Sequence, residues 1–415
     1  MTDSTHPATR TDTRPRPLRR SASVITGFCA VALVLASCGT PSATIDTSPA
    51  PAGVPPGQGL TGTAGTWASL VMGHLSDPLN TFGELFTLAG CTTSGCTTGR
   101  WALATPPGVA SNGGIMITGN PDGGLTAGFG ISLDLRFSPL AETTDGGSVW
   151  APGILPAALV AAPDSLAASG PARRLALVST GAGEVLASGP DLDTWPLLVR
   201  EPAVAASTSG TGCRLGPLTG VAITSSGDDL VAGTCTGGGR AGIFRVGVAG
   251  RVTPVDAVGP RLPPSAGSVV RVVRLVVTTG GVAALLSAGS GRGANLYLAT
   301  SVDDAATWTV SAPFATDGRP VRSAGFTRDG GFAVLLGAAV RSAAVCAPGA
   351  PWRTLPAPPS AAVVAARPDG GLDALVPAGT KLEVDALGTD GWSRSQVVDV
   401  PIEFGSTSAG GGAPN

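Results

Sequence analysis

Apolar residues in this chain come in short runs, and one figure recurs: an apolar run, a turn-forming cluster, then a second apolar run. Copies occupy residues 115–125, 221–230, 275–282, 324–332 and 363–372, with a weaker one at 159–166. Asp-Gly and Gly-Gly at their centres mark hairpin turns, since these residues accept positive φ at little cost. Helical periodicity is absent apart from a short stretch at 69–74, so the pattern predicts an all-β chain.

A tryptophan follows most of these hairpins at a regular distance. Leu125 leads to Trp150, Leu166 to Trp195, Val282 to Trp308, Phe332 to Trp352 and Leu372 to Trp392. After Leu230 the place is taken by Arg251-Val-Thr-Pro254, and Trp101 closes a divergent unit that starts near Trp67. That makes seven units of about 48 residues, the period of a propeller with four short strands per blade. Six blades of about 56 residues are the alternative, and they fit the hairpin spacing less well. One such sheet cannot bury both faces alone, whereas a closed ring leaves only short, protected edges. The continuous apolar runs 269–277 and 282–286 suit inner strands covered on both faces.

Some of the tryptophans end a common motif. Ser301-Val-Asp-Asp-Ala-Ala-Thr-Trp308 resembles the Asp-box, S-x-D-x-G-x-T-W, of sialidase-like propellers. The resemblance implies a tight turn in which Asp303 accepts backbone N–H bonds, beside Ser301 and Thr307, while Trp308 packs between sheets. Ala305 stands where glycine is usual, which predicts a looser turn. Thr143-Thr-Asp-Gly-Gly-Ser-Val-Trp150 supplies Thr143, Asp145, Gly147 and Trp150 at the same places, and 188–195 keeps only the ends, Ser188 and Trp195.

The first residues set an address. A basic, polar segment precedes an apolar run at 24–36, too short to span a bilayer and the length of a signal-peptide core. Leu35-Ala-Ser-Cys38 resembles the lipobox of bacterial lipoproteins, which implies acylation of Cys38 and an anchor on the outer face of the cell membrane. Residues 1–37 then read as signal peptide, 38–66 as a flexible Pro/Gly/Ser/Thr tether, 67–404 as the propeller and 405–415 as a disordered tail. Arg19-Arg20 leaves the choice between general and twin-arginine export open.

Export to an oxidising compartment makes disulfides the default for the remaining cysteines. Cys91 with Cys96, and Cys213 with Cys235, are the candidate pairs; Cys346 reads as a buried apolar residue. A zinc site is not expected, because His74 is the only histidine beyond the leader and no second cysteine pair has ligand spacing. Formal net charge is −2 and no basic stripe is visible, which argues against a nucleic-acid partner.

The sialidase resemblance stops short of the active site. That family uses a tyrosine nucleophile with a glutamate, an aspartate acid/base and three arginines that clamp a carboxylate. The single tyrosine, Tyr297, precedes a box and reads as a packing residue, and the arginine motif before the first box has no counterpart. Other propeller glycosidases need two carboxylates across a cleft, for which Asp134, Glu142, Glu201, Asp256 and Glu383 are the candidates. Neither a catalytic set nor a cofactor motif emerges. The expectation is a monomeric, non-catalytic binding or scaffolding propeller for an envelope protein or glycan. The alternative is an envelope glycan hydrolase or lyase with carboxylates at the channel.

Overall fold

Turn chemistry sets out the strands. In the turns that start at Asn120, Thr224, Thr327 and Arg367, the first residue's N–H donates to the carbonyl four residues on, and its own carbonyl accepts from the N–H three residues on. That donor is a glycine with positive φ, as at Gly227 (φ 89°) and Gly330 (φ 89°), where a Cβ would be strained. Asp228 N–H and Gly331 N–H close two of these turns on the hydroxyls of Thr224 (2.9 Å) and Thr327 (2.8 Å). A five-residue sequence thus closes the reversal with bonds between its own residues.

The computed structural model describes residues 57–62, 65–73, 81–90, 99–106, 115–120, 123–129, 138–155, 165–170, 173–180, 183–246, 256–266 and 269–401. Among these the strands form seven successive antiparallel meanders four strands deep, at 57–103, 116–155, 165–200, 215–257, 270–315, 321–356 and 363–399, the outermost strand of the fifth being split into Thr309–Val310 and Phe314–Ala315. We number them 1 to 7. The fold is all-β, a β-propeller of four-stranded sheets. The innermost strands are Gly57–Gly62, Met116–Gly119, Ser165–Ala168, Leu215–Ile223, Val270–Thr278, Val321–Phe326 and Val363–Ala366. Unbroken buried runs, as in Ser165–Ala168, Leu215–Ile223 and Val363–Ala366, fit them to burial between neighbouring sheets.

Packing closes the ring. Separate apolar clusters join meanders 2 and 3, 3 and 4, and 4 and 5. One large cluster serves both 1 with 2 and 5 with 6, and two others hold meander 7 between 6 and 1. Each fully buried Leu or Phe in these layers contributes about 1.5–3 kcal/mol. Near the axis, Gly57–Gly62 also pairs in parallel with Val321–Phe326, bypassing meander 7. The close approach depends on Gly59 and Gly325: a Cβ on Gly59 would stand 3.3 Å from Gly325 Cα, with Ala365 Cα 3.6 Å away.

All meanders run outward in the same sense. Their innermost strands therefore begin at one end of the ring, the upstream end, where successive meanders are joined. The first hairpins and the third-to-fourth strand turns lie together at the other, which we call the box end.

Several expectations from the sequence change. Residues 57–62, expected to belong to a tether, form the innermost strand of meander 1. The weak hairpin at 159–166 is displaced: Leu166 belongs to a first strand, and the turn follows it, closed by Ser169 N–H on Arg173 O. Residues 69–73 are strand rather than helix. Two short helices, α1 (Glu201–Ala205) and α2 (Thr208–Cys213), connect meanders 3 and 4 instead. Pro202 suits the first turn of α1, and Ser207 Oγ caps α2 by accepting from Gly210 N–H at 3.0 Å. The signal segment, Cys38, Cys91, Cys96, Asp134 and residues 251–254 lie outside the described residues.

Candidate functional site

The box residues build turns. In the box at 301–308, Asp303 Oδ1 accepts from Ser301 Oγ at 2.8 Å and from Thr307 N–H at 2.8 Å, and Oδ2 from Thr307 Oγ at 2.6 Å. The Thr307 hydroxyl and N–H, with the Ser301 hydroxyl, hold the Asp303 carboxyl down at about 2. Ala305 adopts φ 68°, near the centre of the left-handed region, and its N–H still reaches Ser301 Oγ at 2.9 Å. The turn is therefore formed in full despite the missing glycine. In the box at 143–150, Thr143 Oγ donates to Asp145 Oδ1 (2.8 Å) and accepts from Gly147 N–H (3.0 Å), while Val149 N–H reaches Asp145 Oδ1 (2.9 Å). The worn copy is more complete than its sequence suggests. Asp191, one position late, accepts from the N–H groups of Asp193 (3.0 Å) and Thr194 (2.6 Å).

Each tryptophan near a third-to-fourth strand turn wedges against the preceding meander. Trp308 Nε1 donates to Val258 O at 2.7 Å, Trp352 Nε1 to Ser311 Oγ at 3.2 Å, and Trp150 meets Trp67 edge to face with centroids 6.1 Å apart. Trp195 packs in the cluster of meanders 2 and 3, Trp392 in that of 6 and 7, and Trp101 in that of 7 and 1. Tyr297 is 2% exposed in the core between meanders 4 and 5, a packing residue.

Among the described residues the candidate carboxylates do not converge. Glu142 is locked in a two-point pair with Arg174, Oε1 to Nη2 at 2.7 Å and Oε2 to Nε at 2.9 Å, and also accepts from Thr126 Oγ. Burial pushes its pKa up, but Arg174 and Thr126 outweigh this and hold it below the usual value. Glu383 and Asp385 share Arg394 on the outer strands of meander 7, each at 2.6 Å. Glu201 opens α1, its pKa raised by burial and by the charge of Glu184, and Asp256 is exposed on the outermost strand of meander 4. Asp229 and Asp373, buried across other boundaries, are held by Arg173 (2.6 Å) and by Trp101 with Arg367. At the box end, charge stitches sheets together.

The ring's interior is different. None of the seven innermost strands carries an Asp or Glu, whereas Arg271, Arg274 and Arg322 lie on them. Arg271 and Arg274 would point to opposite faces of a regular strand. The register shifts between Val272 and Arg274, inserting one residue, so both oppose the same face of the partner strand, at Ser287 and Leu285. That face meets meander 6. Arg274 is 8% exposed and crosses the axis, its Nη1 3.2 Å from Met116 Sδ on the innermost strand of meander 2. Burial pulls its pKa down to about 10, which leaves it charged at neutral pH. Sequence reading passed over these residues. The signal was two arginines, three apart, inside the apolar run 269–277, whose common facing depends on an unforeseen bulge.

Among the described residues no group of three or more His, Cys, Asp or Glu side chains is placed to hold a metal ion. Cys213 and Cys235 form a disulfide that ties the end of α2 to meander 4, and Cys346 is a buried free thiol.

No protein-family model matches the chain. No curated protein matches it. Among solved structures it is similar to a putative 6-phosphogluconolactonase from Bacteroides fragilis, at 12% identity over 80% of this chain and 95% of that one, TM-score 0.48. It is similar also to a GH74 xyloglucanase from Xanthomonas campestris, at 14% identity over 84% of this chain and 54% of that one, TM-score 0.48. A third is the β-propeller domain of the Trilobed protease from Pyrococcus furiosus, at 9% identity over 81% of this chain and 96% of that one, TM-score 0.42.

Proposed function

We propose that the chain is a lipoprotein of the cell envelope, anchored through Cys38, whose propeller binds or scaffolds an envelope component without catalysing a reaction on it. One observation carries the non-catalytic part: the innermost strands present arginines and no carboxylate. A propeller glycosidase needs two converging carboxylates, one of them protonated. Here Glu142, Asp229 and Asp373 are tied into contacts between meanders, and Glu383 into a pair on the surface. The anchor rests on Leu35-Ala-Ser-Cys38 at the end of the apolar run. Several acyl chains hold a protein at a membrane, where a single chain binds only marginally.

Two measurements test the reading. Metabolic labelling with a fatty acid is expected to mark the wild type and not Cys38→Ala; label that persists in the variant overturns the anchor. Incubation of the soluble domain with envelope glycans is expected to leave them intact. Turnover that is lost on replacing any of the candidate carboxylates overturns the binding role.

A further inference from the structure

Among the described residues, the arginines that form ion pairs across meanders at the box end are Arg173 with Asp229 and Arg174 with Glu142, and Arg367 pairs with Asp373 inside meander 7. The interior differs. Arg274 makes one contact to a thioether, and its buried Nε has no hydrogen-bond partner. Arg271, on the same face, also keeps a buried Nε without a partner. At the upstream end of meander 6, Arg322 and Arg341 lie close together, and Arg322 adds to the burial that lowers the Arg341 pKa. Their Nε atoms donate only to neutral carbonyls, of Gly337 (3.1 Å) and Ala338 (3.4 Å). Arg271 and Arg322 are each the second residue of their innermost strand, so they begin neighbouring meanders at one end of the ring. None of these four arginines forms an ion pair among the described residues.

A guanidinium cannot shed its proton near neutral pH, and burying it without a counter-charge is costly. Arg274 meets both conditions, with Arg271 on its own strand face. We propose that the axis of the ring, from Arg322 at the start of its innermost strand to Arg271 and Arg274 inside, binds a small oxyanionic ligand bearing a carboxylate, phosphate or sulfate group. The guanidinium fork matches two oxygens of such a group at once. The inference deepens the binding role proposed above and rests on it.

The test follows thermal unfolding of the full chain with inorganic phosphate, sulfate and citrate in turn, against chloride at matched ionic strength. A saturable rise in midpoint with at least one anion is expected. Comparison of the three separates a tetrahedral ligand from a carboxylate. The apparent affinity is expected to fall by about tenfold or more in Arg274→Met. Arg271→Gln, at a half-buried position, repeats the comparison if the first variant does not fold. No saturable response in the wild type overturns the proposal. So does an equal response in wild type and variant, which identifies a general salting effect. Glycan turnover would overturn the binding role and leave an anion response standing. A flat anion response would remove this site and leave that role standing.

Discussion

Trp101 Nε1 donates a 2.8 Å hydrogen bond to Asp373 Oδ2, linking the first meander of the chain to the last. Gln396 reinforces the junction, its Oε1 accepting from Trp101 N–H at 2.9 Å and its Nε2 donating to Trp101 O at 2.6 Å. Asp373 is 3% exposed, and burial raises its pKa against the opposing pull of Trp101 and Arg367. Trp101→Phe keeps most of the packing but leaves a buried acceptor short of its donor. A loss of about 1–3 kcal/mol is expected in denaturant unfolding. A change within error would mean that this bond does not hold the ring closed.

The two boxes differ in what their fifth position tolerates. Ala305 sits at φ 68°, which an L-residue can adopt, whereas Gly147 sits at φ 94°, and a Cβ there would stand 3.2 Å from Trp67 Cη2. Gly147→Ala is expected to destabilise by about 1–3 kcal/mol through backbone strain and a displaced indole. Ala305→Gly trades relief of strain against one buried methyl group, and its unfolding midpoint is expected to stay near that of the wild type.

Acid sensitivity follows from the box aspartates. Asp303 stays ionised down to about 2 in the folded chain, below the ordinary value of 3.8, and Asp145 and Asp191 are shifted in the same direction. A carboxyl with a depressed folded pKa stabilises fully above its unfolded pKa and loses that contribution as pH falls through the folded one. Stability is therefore expected to drop between about pH 4 and pH 2, and the drop to be shallower in Asp303→Asn. Parallel pH profiles for the two proteins would remove the boxes from the account.

Thiol chemistry separates the cysteines. The Cys213–Cys235 bridge closes a loop of 22 residues, for which the chain-entropy model gives about 3 kcal/mol of stabilisation. Its reduction is expected to lower the unfolding midpoint accordingly. Burial lifts the Cys346 thiol to about 11, so it is expected to resist alkylation in the folded chain at neutral pH and to react on unfolding. Rapid labelling of Cys346 in the native protein would contradict its place in the core.

The local parts of this architecture were legible in the sequence because their chemistry is local. Thr327-Arg-Asp-Gly-Gly331 closes on itself, and so does the box at 301–308, so their residues announce a reversal wherever they occur. From the spacing of such turns came the all-β reading and the run of strands at 269–286. The pairing of Cys213 with Cys235 came from the two strands expected between them. Partners distant in sequence were not legible. Gly57–Gly62 has the composition of a tether and becomes a strand because Val321–Phe326 and Gly65–Gly73 flank it. The short helices α1 and α2 carry too few residues for a period to show. Above all, two arginines in an apolar run gave no sign of which way they faced. A one-residue bulge at Val273 aligned them, and ring closure brought Met116, 158 positions away, to the tip of Arg274. Alternation along a strand is written in the sequence, but the register that decides what each face meets is set only when the sheets assemble.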